Sequence, residues 1–279
     1  MKKSRITAGI LTVVTAMAVV TFYSCGDKVE HVTGYDMTID TVYGELAGTY
    51  DGELTNSEVT GKGVFKDEND RITYEGQFEQ GIFQGEGKLS GTNENETVTE
   101  IEGTFQGLDS IKGTITVDGC KEYEGALSQY KHHVLPGVSL LTDDFVYHGK
   151  GTLYNRKKKK VYSGEFKYGK PVDKQSFMKA CKNYSASDLL KYADARIGSL
   201  VKFTCNNPYI DGGFTTNETV FIYDSDSLSA SRSGTISMLY QYQKGEARLL
   251  NGEKVVVCGI IEGYEQNNLM VRVLSMETK

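Results

Sequence analysis

Residues 74–89 read Tyr-Glu-Gly-Gln-Phe-Glu-Gln-Gly-Ile-Phe-Gln-Gly-Glu-Gly-Lys-Leu, and this stretch decides the fold. Side chains alternate across a β-strand, so Tyr74, Gly76 and Phe78 share one face while Glu75 and Gln77 turn to water. Gly81 supplies the positive φ of a tight hairpin turn. Gly85, Gly87 and Leu89 alternate on the returning strand, and both glycines are expected beneath rings of neighbouring strands. A single hairpin of this kind cannot bury its aromatic face, so like units must stack.

Copies of the unit lie on both sides. Tyr50, Gly52 and Leu54 lead to Gly61, Gly63 and Phe65, with Tyr50 placed 24 residues before Tyr74. A looser copy runs from Ile101 through Gly103 and Phe105 to Gly113, and Tyr123-Glu124-Gly125 opens another. Tyr147 to Leu153 and then Tyr162, Gly164, Phe166 and Gly169 close the series. The segment from Gly44 to Gly169 holds 20 of the 31 glycines, so the glycine excess belongs to the repeat and not to a linker.

These residues resemble the MORN repeat family, most fully at Tyr74–Leu89 and in part at Tyr50–Phe65 and Tyr162–Gly169. The resemblance implies an elongated antiparallel sheet of hairpins over residues 41–172. It also implies a structural role for Tyr50, Gly52, Gly61, Gly63, Tyr74, Gly76, Phe78, Gly81, Gly85, Gly87, Tyr162, Gly164 and Phe166, in a scaffold for protein or membrane contacts.

At the N-terminus Lys2, Lys3 and Arg5 precede an uncharged run from Ile6 to Phe22, and Cys25 follows. This is the layout of an export signal. Two readings stand side by side. The segment resembles a bacterial lipoprotein signal peptide, which implies lipidation of Cys25, although Phe22 and Tyr23 depart from the usual small residues. Alternatively it is an uncleaved signal anchor. Both give residues 1–25 as a targeting segment and 26–40 as a linker, with the body on the outer face of a bacterial membrane.

After Pro171 the glycine pattern stops. Residues 173–279 are expected to form a second domain: a short helix capped by Ser185 or Ser187, then strands at Leu200–Cys205, Thr219–Tyr223, Ile236–Tyr242, Lys254–Gly263 and Leu269–Ser275. Val201-Lys202-Phe203-Thr204 and Gly252-Glu253-Lys254-Val255-Val256-Val257-Cys258-Gly259 resemble two strands of small OB-like domains in exported lipoproteins of Gram-positive bacteria. The resemblance implies a five-stranded barrel with a preceding helix, able to hold an oligosaccharide or similar ligand. Tyr209, Phe214, Tyr223, Tyr240 and Tyr242 are assigned to core or rim packing.

The net charge of −6 excludes a global basic field, so no nucleic acid partner is expected. No catalytic motif, cofactor loop or metal-ligand spacing is present. His132-His133, Asp143-Asp144 and Asp224-Ser225-Asp226 read as solvated loop. Cys120, Cys181, Cys205 and Cys258 allow three pairings but read as isolated buried thiols. The sharp charge feature is Arg156-Lys157-Lys158-Lys159-Lys160, expected at an exposed hairpin tip. It reads either as a solubilising tip with no partner or as a contact for an anionic surface of lipid head groups or wall polymer, toward which each basic residue would contribute about 1 kcal/mol.

The expected function is a non-enzymatic envelope-anchored binding or scaffold protein whose partner is an unknown envelope protein or polymer. A structural spacer presenting the second domain is the alternative. An envelope hydrolase or transferase would require a groove of convergent carboxylates.

Overall fold

The computed structural model describes residues 28–129 and 145–279, apart from positions 43, 94–95, 207, 211–218, 225–234, 243–245, 251 and 266–267. Among the described residues β-strands dominate and make two sheets. Eleven strands form the first, in chain order and antiparallel: β1 (Val29–Thr41), β2 (Gly44–Thr55), β3 (Glu58–Asp67), β4 (Ile72–Glu79), β5 (Ile82–Thr92), β6 (Val98–Gln106), β7 (Ser110–Val117), β8 (Cys120–Gln129), β9 (Phe145–Tyr154), β10 (Lys160–Lys167) and β11 (Lys170–Pro171). Residues 29–40, expected as linker, therefore begin the sheet. Met37 and Ile39 face its core at strand spacing, but the glycine row does not reach β1, where Val32 stands opposite Gly52.

The two-face reading of the repeat holds. Tyr74 and Phe78 are buried while Glu75 and Gln77 are exposed. Gln80 and Gly81, both at positive φ, make the two-residue turn between β4 and β5. Across nine strands, glycines pair in one continuous row: Gly52, Gly63, Gly76, Gly87, Gly103, Gly113, Gly125, Gly151 and Gly164. A parallel row of Tyr50, Phe65, Tyr74, Leu89, Ile101, Ile115, Tyr123, Leu153 and Tyr162 is buried beside it. Each Tyr ring lies down over the glycines. A Cβ at Gly87 would meet the Tyr74 hydroxyl at 2.3 Å, and one at Gly151 the Tyr123 hydroxyl at 2.0 Å.

The first glycine of each Gly-x-Gly behaves otherwise than expected. Gly61, Gly85 and Gly149 do not lie beneath rings. They take positive φ at register shifts, where β3, β5 and β9 each carry two residues more than the partner strand. The shift leaves a carbonyl of the partner strand to be satisfied locally. Tyrosine does this three residues back: Tyr50, Tyr74 and Tyr123 donate to the carbonyls of Glu53, Gln77 and Ala126 at 3.1, 3.0 and 3.0 Å.

The second sheet has seven strands, not five, in the order β12-β13-β17-β18-β16-β15-β14. Their ranges are β12 (Lys182–Asn183), β13 (Leu200–Cys205), β14 (Pro208–Ile210), β15 (Thr219–Asp224), β16 (Ile236–Gln241), β17 (Val255–Glu265) and β18 (Asn268–Thr278). The additions, β12 and β14, are too short to carry an alternating pattern. Ser185 caps the expected helix, α2 (Ala186–Lys191), accepting from the Asp188 N–H at 3.1 Å. An unexpected helix, α1 (Lys174–Ala180), starts at Asp173 and buries Phe177 alone, too little for a periodic signal.

One face of this second sheet encloses its own core of Phe203, Met238, Tyr240, Val257 and Val271. Leu200, Cys258, Ile260 and Leu274 point the other way and join the aromatic core of the repeat sheet. Burial on both faces explains why Val255–Ile261 reads as a continuous apolar run.

Candidate functional site

The basic run occupies the turn between β9 and β10, as its flanking strands predict. Asn155 organises that turn. Its Oδ1 accepts from the Lys157 and Lys159 N–H groups at 3.0 Å each, and its carbonyl accepts from Lys158 at 2.8 Å. Lys158 takes a left-handed φ of 56°, which an Asx-type turn supports. Arg156 and Lys157–Lys160 are all exposed. Hydrogen bonds to Asn155 therefore fix the turn, while the four lysines remain exposed to water.

Arg156 departs from the other four. A Cβ built on Gly198 would meet the Arg156 Cγ at 2.6 Å, so the arginine stem lies on the backbone of the second domain. Two residues before Gly198, the Arg196 guanidinium lies over the rings of Tyr184 and Tyr192, at 4.4 and 5.1 Å. Lys191 approaches Tyr192 at 5.0 Å. The tip thus adjoins a second set of cations on exposed tyrosine, interspersed with the carboxylates of Asp188 and Asp194. Behind it, Lys121 pairs with Glu124 at 2.6 Å and Tyr154 donates to the same carboxylate at 2.8 Å.

Two polar clusters at the seam of the sheets are not legible in the sequence. In one, Arg272 of β18 reaches Glu122 of β8 at 2.6 Å, the Tyr147 hydroxyl at 3.1 Å and Glu262 at 2.7 Å, while Tyr147 also donates to Glu122. Burial pushes the Tyr147 phenol far up. Burial opposes the Arg272 charge too, but Glu122, Tyr147 and Glu262 outweigh it and hold the guanidinium protonated. In the other, Lys170 of β11 is buried against the Tyr240 ring at 3.8 Å and pairs with Glu246 at 2.8 Å. Lys174 of α1 reaches the same carboxylate at 3.2 Å. Burial brings the Lys170 ammonium down to about 8 in spite of Glu246. Both clusters bridge the sheets and face each other's protein groups, so their chemistry is adhesive.

Tyr240 and Tyr242 are buried, as assigned, whereas Tyr209 is exposed. Cys25, the Ile6–Phe22 run, His132-His133, Asp143-Asp144 and Phe214 lie outside the described residues. Among the described residues no group of three or more His, Cys, Asp or Glu could hold a metal ion. Among the same residues no helix is long and apolar enough to cross a membrane. A shallow depression on β9 and β10 is lined by Lys150, Thr152, Ser163 and Glu165, outward-facing side chains of the repeat.

The glycine row, the recumbent tyrosines and the paired hairpins are the setting in which the family comparison falls. A model of the MORN repeat matches residues 74–96 and 162–172. These segments are MORN repeats. They coincide with the β4–β5 hairpin and with β10–β11, where the Tyr-x-Gly-x-Phe pattern is least altered. The MORN-like copies between them keep the glycine register, with Ile101 and Ile115 in the row that holds Tyr74 and Tyr123. No curated protein matches the chain.

Proposed function

We propose that this chain is a non-enzymatic, envelope-anchored binding or scaffold protein, held to the outer face of a bacterial membrane through its first 25 residues. MORN repeats are generally modules of protein or membrane interaction, which supports the class. The basic n-region, the apolar run and Cys25 support the anchor, by lipidation or as an uncleaved segment. An intact mass of the membrane-bound form separates those two: a lipidated Cys25 at the N-terminus in one case, an unmodified full-length chain in the other.

The observation that carries the reading is the ordered tip. A chain of net charge −6 concentrates five positive residues on one fixed turn, braced on the second domain by Arg156. Such a corner meets an anionic surface while the acidic remainder is held off it. The attraction is short-ranged, fading over about 8 Å at physiological ionic strength. Replacing Lys157, Lys158, Lys159 and Lys160 with Gln should leave thermal unfolding unchanged. It should also weaken co-sedimentation with anionic vesicles or isolated wall polymer, most at low salt. Equal co-sedimentation of both proteins at every salt concentration would remove the surface-contact role.

A second reading makes the repeat sheet a spacer that presents an OB-like domain to an oligosaccharide or similar ligand. It is favoured by one feature. β13 and β14 are almost consecutive in the chain yet pair with β17 and β15, far apart in the strand order. The short step from β13 to β14 in the chain keeps these two parts of the order near each other, and the parallel β16–β18 pair fits the same barrel.

A further inference from the structure

The strand order leaves one long strand open. Among the described residues β1 pairs with β2 and with no other strand, so alternate residues along its far side direct N–H and C=O groups outward. The opposite edge differs: β11 has two residues and abuts β18 of the second sheet. The second half of β1, Tyr35-Asp36-Met37-Thr38-Ile39-Asp40, also lacks the Lys, Pro or bulge that commonly blunts an edge. The register shift of β1 lies before this stretch, and the Gly34 N–H there is already bonded to Asp51 at 2.7 Å. Side chains divide by face. Met37 and Ile39 are buried in the core and Tyr35, on the same face, is exposed, whereas Asp36, Thr38 and Asp40 are exposed on the other. From Val29 to Thr55 the chain carries six carboxylates and no Lys or Arg. Glu30 pairs with Lys28, Glu53 lies 3.5 Å from His31, and Asp51 holds Gly34. Asp36, Asp40 and Glu45 are left exposed without a cation among the described residues, and Glu45 stands opposite Asp40 in the register.

We propose that the Tyr35–Asp40 edge of β1 is a docking site for an extended segment of another protein, added as a further strand, in which basic residues alternate with apolar ones. The backbone of such a segment bonds to the outward N–H and C=O groups of β1, and its side chains alternate in step with those of β1. On one face they stand opposite Asp36 and Asp40, with Cβ atoms about 5 Å apart, where lysine or arginine meets a carboxylate that lacks a cation. On the other face they extend the row of Tyr35, Met37 and Ile39, where apolar residues cover the exposed Tyr35 ring. A second copy of β1 fits worse, because it brings further carboxylates to an edge that already has a surplus of them. The site lies at the other end of the strand order from the basic tip, so it stands or falls independently of the surface-contact reading.

The test adds a labelled heptapeptide of alternating Lys and Val to the full-length chain in detergent, and follows binding by fluorescence anisotropy and by hydrogen exchange. The Lys-Val peptide should bind and slow amide exchange within Tyr35–Asp40, whereas a Glu-Val peptide should do neither. The Lys-Val peptide N-methylated at every residue keeps its charge but cannot donate to β1, and its affinity should fall by about tenfold or more. Asp36→Lys combined with Asp40→Lys should weaken the Lys-Val peptide by about tenfold, with thermal unfolding unchanged because both side chains are exposed. Replacing Lys157–Lys160 with Gln should leave peptide binding as it is. Equal affinity of the N-methylated peptide would reduce the contact to charge alone and overturn the proposal. So would equal affinity for the Asp36 and Asp40 variant, or no binding of the Lys-Val peptide at about 1 mM. Slow exchange of every amide in Tyr35–Asp40 before any peptide is added would show the edge already covered, and would overturn it too.

Discussion

Arg272 and Glu122 stand 150 residues apart in the chain and 2.6 Å apart in the fold, one on the second sheet and one on the repeat sheet. The pair shares Tyr147, whose ring stacks on Tyr123 at 4.3 Å, so the polar seam rests directly on the aromatic core. Removing the guanidinium strands a largely buried carboxylate and a buried hydroxyl. Arg272→Met should cost about 2–3 kcal/mol, below the cost for wholly buried pairs because Arg272 keeps a third of its exposure. Urea unfolding measures this, and the double variant with Glu122→Gln should recover part of the loss. Strict additivity of the two substitutions would mean that the residues are not coupled.

The glycine row makes a sharper contrast. A methyl group on Gly76 would fall 2.5 Å from the Tyr74 hydroxyl and 2.6 Å from the Gly87 Cα, and a backbone atom cannot swing aside. Gly76→Val should cost about 3 kcal/mol or more by overpacking. Glu75→Lys, one residue away on the wet face, should stay within about 0.5 kcal/mol. Thermal melts showing equal losses for the two would reverse the assignment of faces.

Lys170 gives a pH signature. Its pKa in the fold is about 8, below the ordinary 10.5 that the unfolded chain retains. Between those values the unfolded chain binds more protons, so stability must rise with pH across that window and be insensitive to Lys170 below it. Lys170→Met should flatten the rise in a series of urea titrations. Tyr74, pushed up to about 12 by burial, works in the opposite sense, and stability should fall again as pH climbs from 10 toward 12. An unchanged slope in Lys170→Met would place the ammonium in water.

The repeat sheet was legible because its information is local: period-two alternation, paired glycines and two-residue turns all lie within one hairpin. The five principal strands of the second domain and the Ser185 cap were legible for the same reason. Two kinds of feature were not. Gly85 and Gly87 look alike in sequence, yet one takes positive φ at a register shift and the other lies under a ring. Strand pairing, not composition, separates them. The seam was invisible because Glu122, Tyr147 and Arg272, or Lys170 and Glu246, become neighbours only when the sheets dock.

The unbroken glycine row constrains how such a protein can change length. Each glycine is matched to one on either neighbouring strand, so the row runs across the molecule like a zip. Excising one strand would reverse every later connection, whereas excising a whole up-and-down pair lets the flanking glycines meet again. Growth or shortening of the body is thereby quantised in hairpins. The basic tip, set near the far end of the row, would shift its reach from the first strand by two strand widths, about 9.5 Å, for each unit gained or lost.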